Sequence, residues 1–128
     1  MLTFTRVKDS GERSEFETGA VRDRQKGKGR YDLLPPYGLK RLAMHFENGA
    51  NKYNARNWEK GIPTERYMDS ALRHLFEYLS GLRDEDHLAA AAWNVLCLIE
   101  TEYRIEKGIL PKSLDTLPNP LDLDKEEK

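Results

Sequence analysis

Residues 64–108 read TERYMDSALRHLFEYLSGLRDEDHLAAAAWNVLCLIETEYRIEKG, and their periodicity decides the fold. Met68, Ala71, Leu72, Leu75, Tyr78 and Leu79 recur at spacings of three and four. That spacing predicts a helix from about Glu65 to Leu79, with Thr64 as its N-cap and Ser80-Gly81 ending it. A charged link from Arg83 to Asp86 follows. A second pattern then runs from about Glu85 to Lys107, with Leu88, Ala92, Val95, Leu96, Ile99 and Tyr103 as its apolar stripe and Gly108 as a C-cap. Acids at its start and Arg104 and Lys107 at its end suit the helix dipole. The short link makes these two helices antiparallel neighbours.

Upstream, Leu39, Leu42, Ala43, Phe46, Ala50 and Tyr53 predict a helix from Tyr37 to Tyr53. Residues 54–64 connect it onward, with Gly61 and Pro63 as breakers. No run of alternating residues predicts a central sheet. The fold class expected is all-α, a helical bundle of three main helices completed by oligomerisation, because three helices with long arms enclose little core. Residues 1–17 lack a sustained period and are expected to form an N-terminal arm, with room for a short strand or an oligomer contact. Residues 18–36, TGAVRDRQKGKGRYDLLPP, read as a loop rich in Gly and cations and closed by Pro-Pro. The organisation expected is therefore an arm at 1–17, a helical domain at 18–110 and an extended tail at 111–128, mostly acid and lysine after Leu121.

The chain has 128 residues, enough for one domain with one core. A formal net charge of -1 gives no global field toward nucleic acid, and no segment is long and apolar enough to span a bilayer. The single cysteine, Cys97, excludes an internal disulfide and reads as a buried thiol. No signal-peptide pattern opens the chain, so the cytoplasm is the location expected.

Two constellations carry chemistry. In the first, Tyr67, Ser70, His74 and Glu77 share one stripe of the middle helix, and His87, Ala91 and Asn94 share one stripe of the last, with Asp86 in its first turn. Antiparallel packing brings His74 and Glu77 toward Asp86, His87 and Asn94, and oxygen ligands on facing helices are how a bundle holds a hard divalent cation. The bland alternative is a solvated face with a favourable acidic first turn at residues 84–86. The second constellation is basic. Arg22, Lys26, Lys28 and Arg30 alternate with glycines, and Lys52, Arg56, Asn57, Trp58 and Lys60 follow the first helix. Glycines admit a phosphate close to backbone and cations neutralise it. Trp58 reads either as a platform for a base or as a cap on the core. There is no Walker-type phosphate loop, no Cys/His zinc pattern and no nucleophile triad, and the order Asp86-His87 is not that of the HD phosphohydrolases.

Four segments, TGAVRDRQKGKGRYDLLPP, HFENGANKYNARNWEKGIP, YMDSALRHLFEYLSG and DEDHLAAAAWNVLCLIETE, in this order resemble a phage-rich family of dATP/dGTP diphosphohydrolases that includes the MazZ-type enzymes. That family is similar to the wider MazG-like all-α NTP pyrophosphohydrolases, which carry Glu-x-x-Glu on one helix and Glu-x-x-Asp on the next and bind magnesium or manganese. Here the first pair becomes His74-x-x-Glu77 and the second Ala91-x-x-Asn94. The resemblance implies hydrolysis of a purine deoxynucleoside triphosphate (dGTP, dATP or both) to the monophosphate and pyrophosphate, with Mg²⁺ or Mn²⁺ as cofactor and the host cytoplasm as setting. It implies catalytic roles for Glu47, His74 and Glu77. Metal ligation falls to Glu47, Glu77, Asp86 and Asn94. Substrate contacts fall to Lys28, Arg30, Lys52, Asn57, Trp58, Lys60 and Arg73. Partners implied are the nucleotide and further copies of the chain, not nucleic acid or membrane. The missing carboxylates keep two other readings open. One is a non-catalytic helical nucleotide-binding or regulatory protein; the other is a hydrolase of modified or non-purine nucleotides.

Overall fold

The computed structural model describes residues 6–118; the acidic C-terminal run after Leu121 lies outside the described residues. The chain divides into two units, one up to Leu34 and one from Pro35. In the first, β1 (Arg13–Glu15) and β2 (Val21–Asp23) form an antiparallel hairpin with Arg13 opposite Asp23 and Glu15 opposite Val21. Gly19 turns the chain at φ +86°, and its amide donates to Phe16 O at 2.8 Å. The stretch read as a loop thus holds a strand, which three polar-flanked residues are too few to announce by alternation. Within this unit Asp23 is a hub: its carboxylate accepts from the Ser10 hydroxyl and from Lys28 Nζ at 3.1 Å.

The second unit is helical. Its helices are α1 (Pro36–Lys52), α2 (Thr64–Leu79) and α3 (His87–Glu106). Pro36 occupies the first turn of α1, where its missing N–H costs nothing. α2 and α3 both end in Schellman motifs. Gly81 and Gly108 sit at φ +92° and +73°, Leu82 N donates to Glu77 O at 3.1 Å, and Ile109 N donates to Arg104 O at 2.8 Å. Thr64, expected as the α2 N-cap, is instead its first helical residue, and Pro63 stands at the cap position. The cap comes from afar: Thr116 Oγ1 accepts from Glu65 N at 3.0 Å, and Thr116 N donates to Thr64 Oγ1 at 3.0 Å. Residues 111–118 of the expected tail therefore pack on the helices, with Leu117 against the core and Leu114 against Gly61.

α2 and α3 run antiparallel. Tyr67, early in α2, packs with Cys97 and Leu98, while His74, late in α2, meets His87 at the start of α3. The buried stripe of α3 is His87, Ala90, Ala91, Asn94, Cys97, Leu98 and Thr101. On α2 it is Thr64, Tyr67, Ala71 and His74. Alanines at the crossing let the two backbones approach closely. Of the faces expected to be buried, Ala71 of α2 lies at the crossing, whereas Leu72, Leu75 and Leu79 on α2, and Val95, Leu96 and Ile99 on α3, are exposed. Amphipathicity was legible, but within one chain the helices meet along their small and polar rows. α1 completes the unit by laying Phe46 against Trp93, ring centroids 6.0 Å apart. Among the described residues no helix is long and apolar enough to cross a membrane.

Candidate functional site

The link between α2 and α3 sets the site. Three successive acids lead into α3, and each finds a different partner. Asp84 Oδ1 lies 2.8 Å from His87 Nε2. Glu85 Oε1 lies 3.8 Å from His74 Nδ1. Asp86 caps α3, its Oδ1 accepting from Ala89 N at 3.1 Å, and its carboxylate takes a bidentate pair from Arg41 of α1. Arg41 holds the Asp86 carboxyl below the usual carboxylate range.

His74 and His87 are 7% and 2% exposed, and their Nδ1 atoms face each other at 3.0 Å. Since the Asp84 carboxylate only accepts, a proton of His87 is assigned to Nε2, and its Nδ1 is the nitrogen that faces His74 and Glu77. Glu77 Oε2 approaches His87 Nδ1 at 3.1 Å and His74 Nδ1 at 3.9 Å. Burial, helped by the Arg73 cation, lowers the pKa of His74 and so favours its neutral imidazole, the form that ligates a metal. His74, Glu85 and His87 offer ligand atoms all within 4.8 Å of one another.

Beside this cluster a cleft of about 740 Å³ opens between α1, the 57–60 turn and α2. That volume lies in the range of small-molecule sites. His74 and Glu85 stand on its wall, so the cluster and the cleft are one site. Arg66, Arg73 and Lys52 supply cations, and Asn57, Trp58 and Tyr53 supply amide and aromatic surface. Trp58 packs on the core and also lines the cleft, with the Arg104 guanidinium 5.2 Å from its ring. Asn94 is buried on the wall, its amide donating to Ala90 O at 2.8 Å.

Of the residues singled out from the sequence, Lys52, Asn57, Trp58, Arg73, His74 and Asn94 line the cleft, and Glu77 meets the histidines. Asp86 is engaged by Arg41. Glu47 and Lys60 are exposed and outside the cleft lining. Lys28 and Arg30 belong to the N-terminal unit, where they pair with Asp23 and Asp32. His87 as a ligand, Glu85 and Arg66 were missed. The signal for His87 was its row on α3, shared with Ala91 and Asn94, which faces His74. Glu85 carried none, since the direction of a link residue is not periodic; Arg66 did carry one, lying two helical turns before Arg73 on α2.

The helical unit thus presents a class of site, a cation-lined cleft ending in two buried histidines with carboxylates beside them, suited to a polyanion and a divalent cation. Residues 18–109 match the family described as dATP/dGTP diphosphohydrolase, N-terminal, and the chain belongs to that family. No curated protein and no solved structure matched it.

Proposed function

We propose that the chain hydrolyses purine deoxynucleoside triphosphates, dGTP or dATP, to the monophosphate and pyrophosphate in a reaction that needs a divalent cation, Mg²⁺ or Mn²⁺. The observation that carries this reading is the union, on one cleft wall, of Arg73 with the His74–Glu85 corner of the histidine–carboxylate cluster. Membership of the family supplies the substrate class. The donor set fits a cation: two imidazole nitrogens of buried histidines lie 3.0 Å apart with Glu77 and Glu85 oxygens at 3.1 to 3.9 Å from them. His74, His87, Glu85 and Glu77 would hold it. When bound, the cation neutralises charge on the phosphate oxygens as the bond breaks.

The chain's own groups do the rest. Trp58 and Asn57 take the nucleoside, by stacking and by amide hydrogen bonds. Lys52, Arg66 and Arg73 hold the phosphates and stabilise the departing pyrophosphate. A cluster carboxylate accepts a hydrogen bond from water and holds it in line with the α-phosphorus. The water oxygen–phosphorus bond forms, the bond from the α-phosphorus to the α–β bridging oxygen breaks, and the water proton passes to the carboxylate.

The test is incubation with each of the four dNTPs and Mg²⁺ or Mn²⁺, with products separated by anion exchange. The expected result is dGMP or dAMP with pyrophosphate. Deoxynucleoside with inorganic triphosphate, or no turnover of any dNTP with either cation, overturns the reading.

A further inference from the structure

We propose that the cluster at the α2–α3 link is a nitrogen-donor site that takes a first-row transition cation in preference to Mg²⁺, with Asp84 as the residue that positions His87. This rests on the reading above for the site's use, but its geometry stands apart from it. Ligand atoms about 2.1 Å from one ion lie about 3 Å apart at right angles and about 4 Å apart across it. The separations here, 3.0 Å between the two Nδ1 atoms, 3.1 Å and 3.9 Å from them to Glu77 and 3.8 Å from His74 to Glu85, fall inside that span. Both rings are largely buried, and the two Nδ1 atoms face each other and Glu77.

Donor chemistry then chooses the metal. Mg²⁺ demands oxygen ligands and gives up its waters reluctantly, whereas imidazole suits Mn²⁺, Fe²⁺, Co²⁺ and Zn²⁺ increasingly well. A site in which two of four protein donors are imidazoles discards much of what Mg²⁺ needs. Asp84 adds the carboxylate–histidine contact that fixes a ligating ring: its oxygen, 2.8 Å from His87 Nε2, accepts the hydrogen bond from that nitrogen and leaves Nδ1 as the ligating atom. Asp84 is itself exposed, so its role is separable from folding.

The experiment uses the full chain without nucleotide. Co²⁺ is titrated in, visible absorption is followed, and Mg²⁺ or Mn²⁺ is then added in competition. The expected result is one Co²⁺ per chain with ligand-field bands, displaced by Mn²⁺ but by Mg²⁺ only at concentrations roughly 10²-fold higher. Asp84→Asn should weaken Co²⁺ about tenfold or more and shift the bands, with far-UV circular dichroism unchanged. Glu85→Gln should also weaken it, and neither variant disturbs a buried position. Mg²⁺ competing as well as Mn²⁺, or Co²⁺ affinity unmoved by both substitutions, overturns the inference. Co²⁺ bound as described with no dNTP turnover would sink the proposed function alone. Turnover with Mg²⁺ and no Co²⁺ bands would sink this inference alone.

Discussion

Asp84, Glu85 and Asp86 are three like residues in a row, yet one faces His87, one His74 and one Arg41. At this scale the site is a matter of direction. Glu77→Gln keeps volume and removes one charge beside His87 Nδ1, so kcat should fall roughly 10²-fold or more at saturating cation while helicity is kept. Near-normal kcat would show Glu77 to be a surface residue paired with Arg73 and nothing more. Cys97 offers a second check. Burial pushes its thiol up to about 12, so its thiolate fraction at pH 8 is on the order of 10⁻⁴. Iodoacetamide should label it slowly in the native protein and rapidly in denaturant. The fraction rises tenfold per pH unit below that pKa, so labelling should climb with pH at least to pH 10. Fast native labelling at pH 8 would mean that the α2–α3 core opens. Much of the site was legible because His74, Glu77 and Asn94 fall on helical rows, where spacing fixes direction. Glu85 sits in a link and Glu47 on an outer row of α1, and spacing alone does not rank an acid on such a row against one facing a cleft.

At the scale of the elements, helix ends separate local from distant information. The Schellman ends at Gly81 and Gly108 were readable as stops because a glycine needs no partner beyond its own turn. Gly108 has open space where a Cβ would stand, so the cost of Gly108→Ala is the strain of an L side chain at φ +73° and not a clash. It should cost about 1 kcal/mol and lower Tm by roughly 4 °C in calorimetry. An unchanged Tm would show that the α3 terminus frays before the domain unfolds. The start of α2 is the opposite case. Its cap, Thr116, comes from 51 residues beyond Glu65, a pairing no local pattern encodes. Thr116→Ala should destabilise by about 1 kcal/mol, the usual cost of a lost cap, and should speed hydrogen exchange in the first turn of α2. Exchange there as slow as in the parent would mean that Thr116 is not the cap in solution.

At the scale of the molecule, α3 is apolar nearly all round. Its small and polar row meets α2, while Val95, Leu96, Ile99 and Tyr103 remain open on its other side. A helix of that kind is normally covered on both faces. α2 repeats the pattern, with Leu72, Leu75 and Leu79 exposed at spacings of three and four, Leu79 by 79%. These are the faces that the sequence marked for a core, and the spacing was sound; what spacing does not say is whether the covering surface belongs to the same chain. A second copy is the economical cover, because an isologous interface lets one apolar stripe serve both subunits. Each large aliphatic side chain buried contributes about 1.5 to 3 kcal/mol before the cost of association. The protein is therefore expected to be a dimer or tetramer at micromolar concentration. Leu72→Glu combined with Ile99→Glu should convert it to a monomer by light scattering, with helical circular dichroism retained, because neither residue lies in the buried Tyr67–His74 or His87–Thr101 rows. A parent chain that already runs as a monomer would leave these faces uncovered by its own kind. An oligomer indifferent to both glutamates would place the interface elsewhere, on α1 or on the hairpin unit.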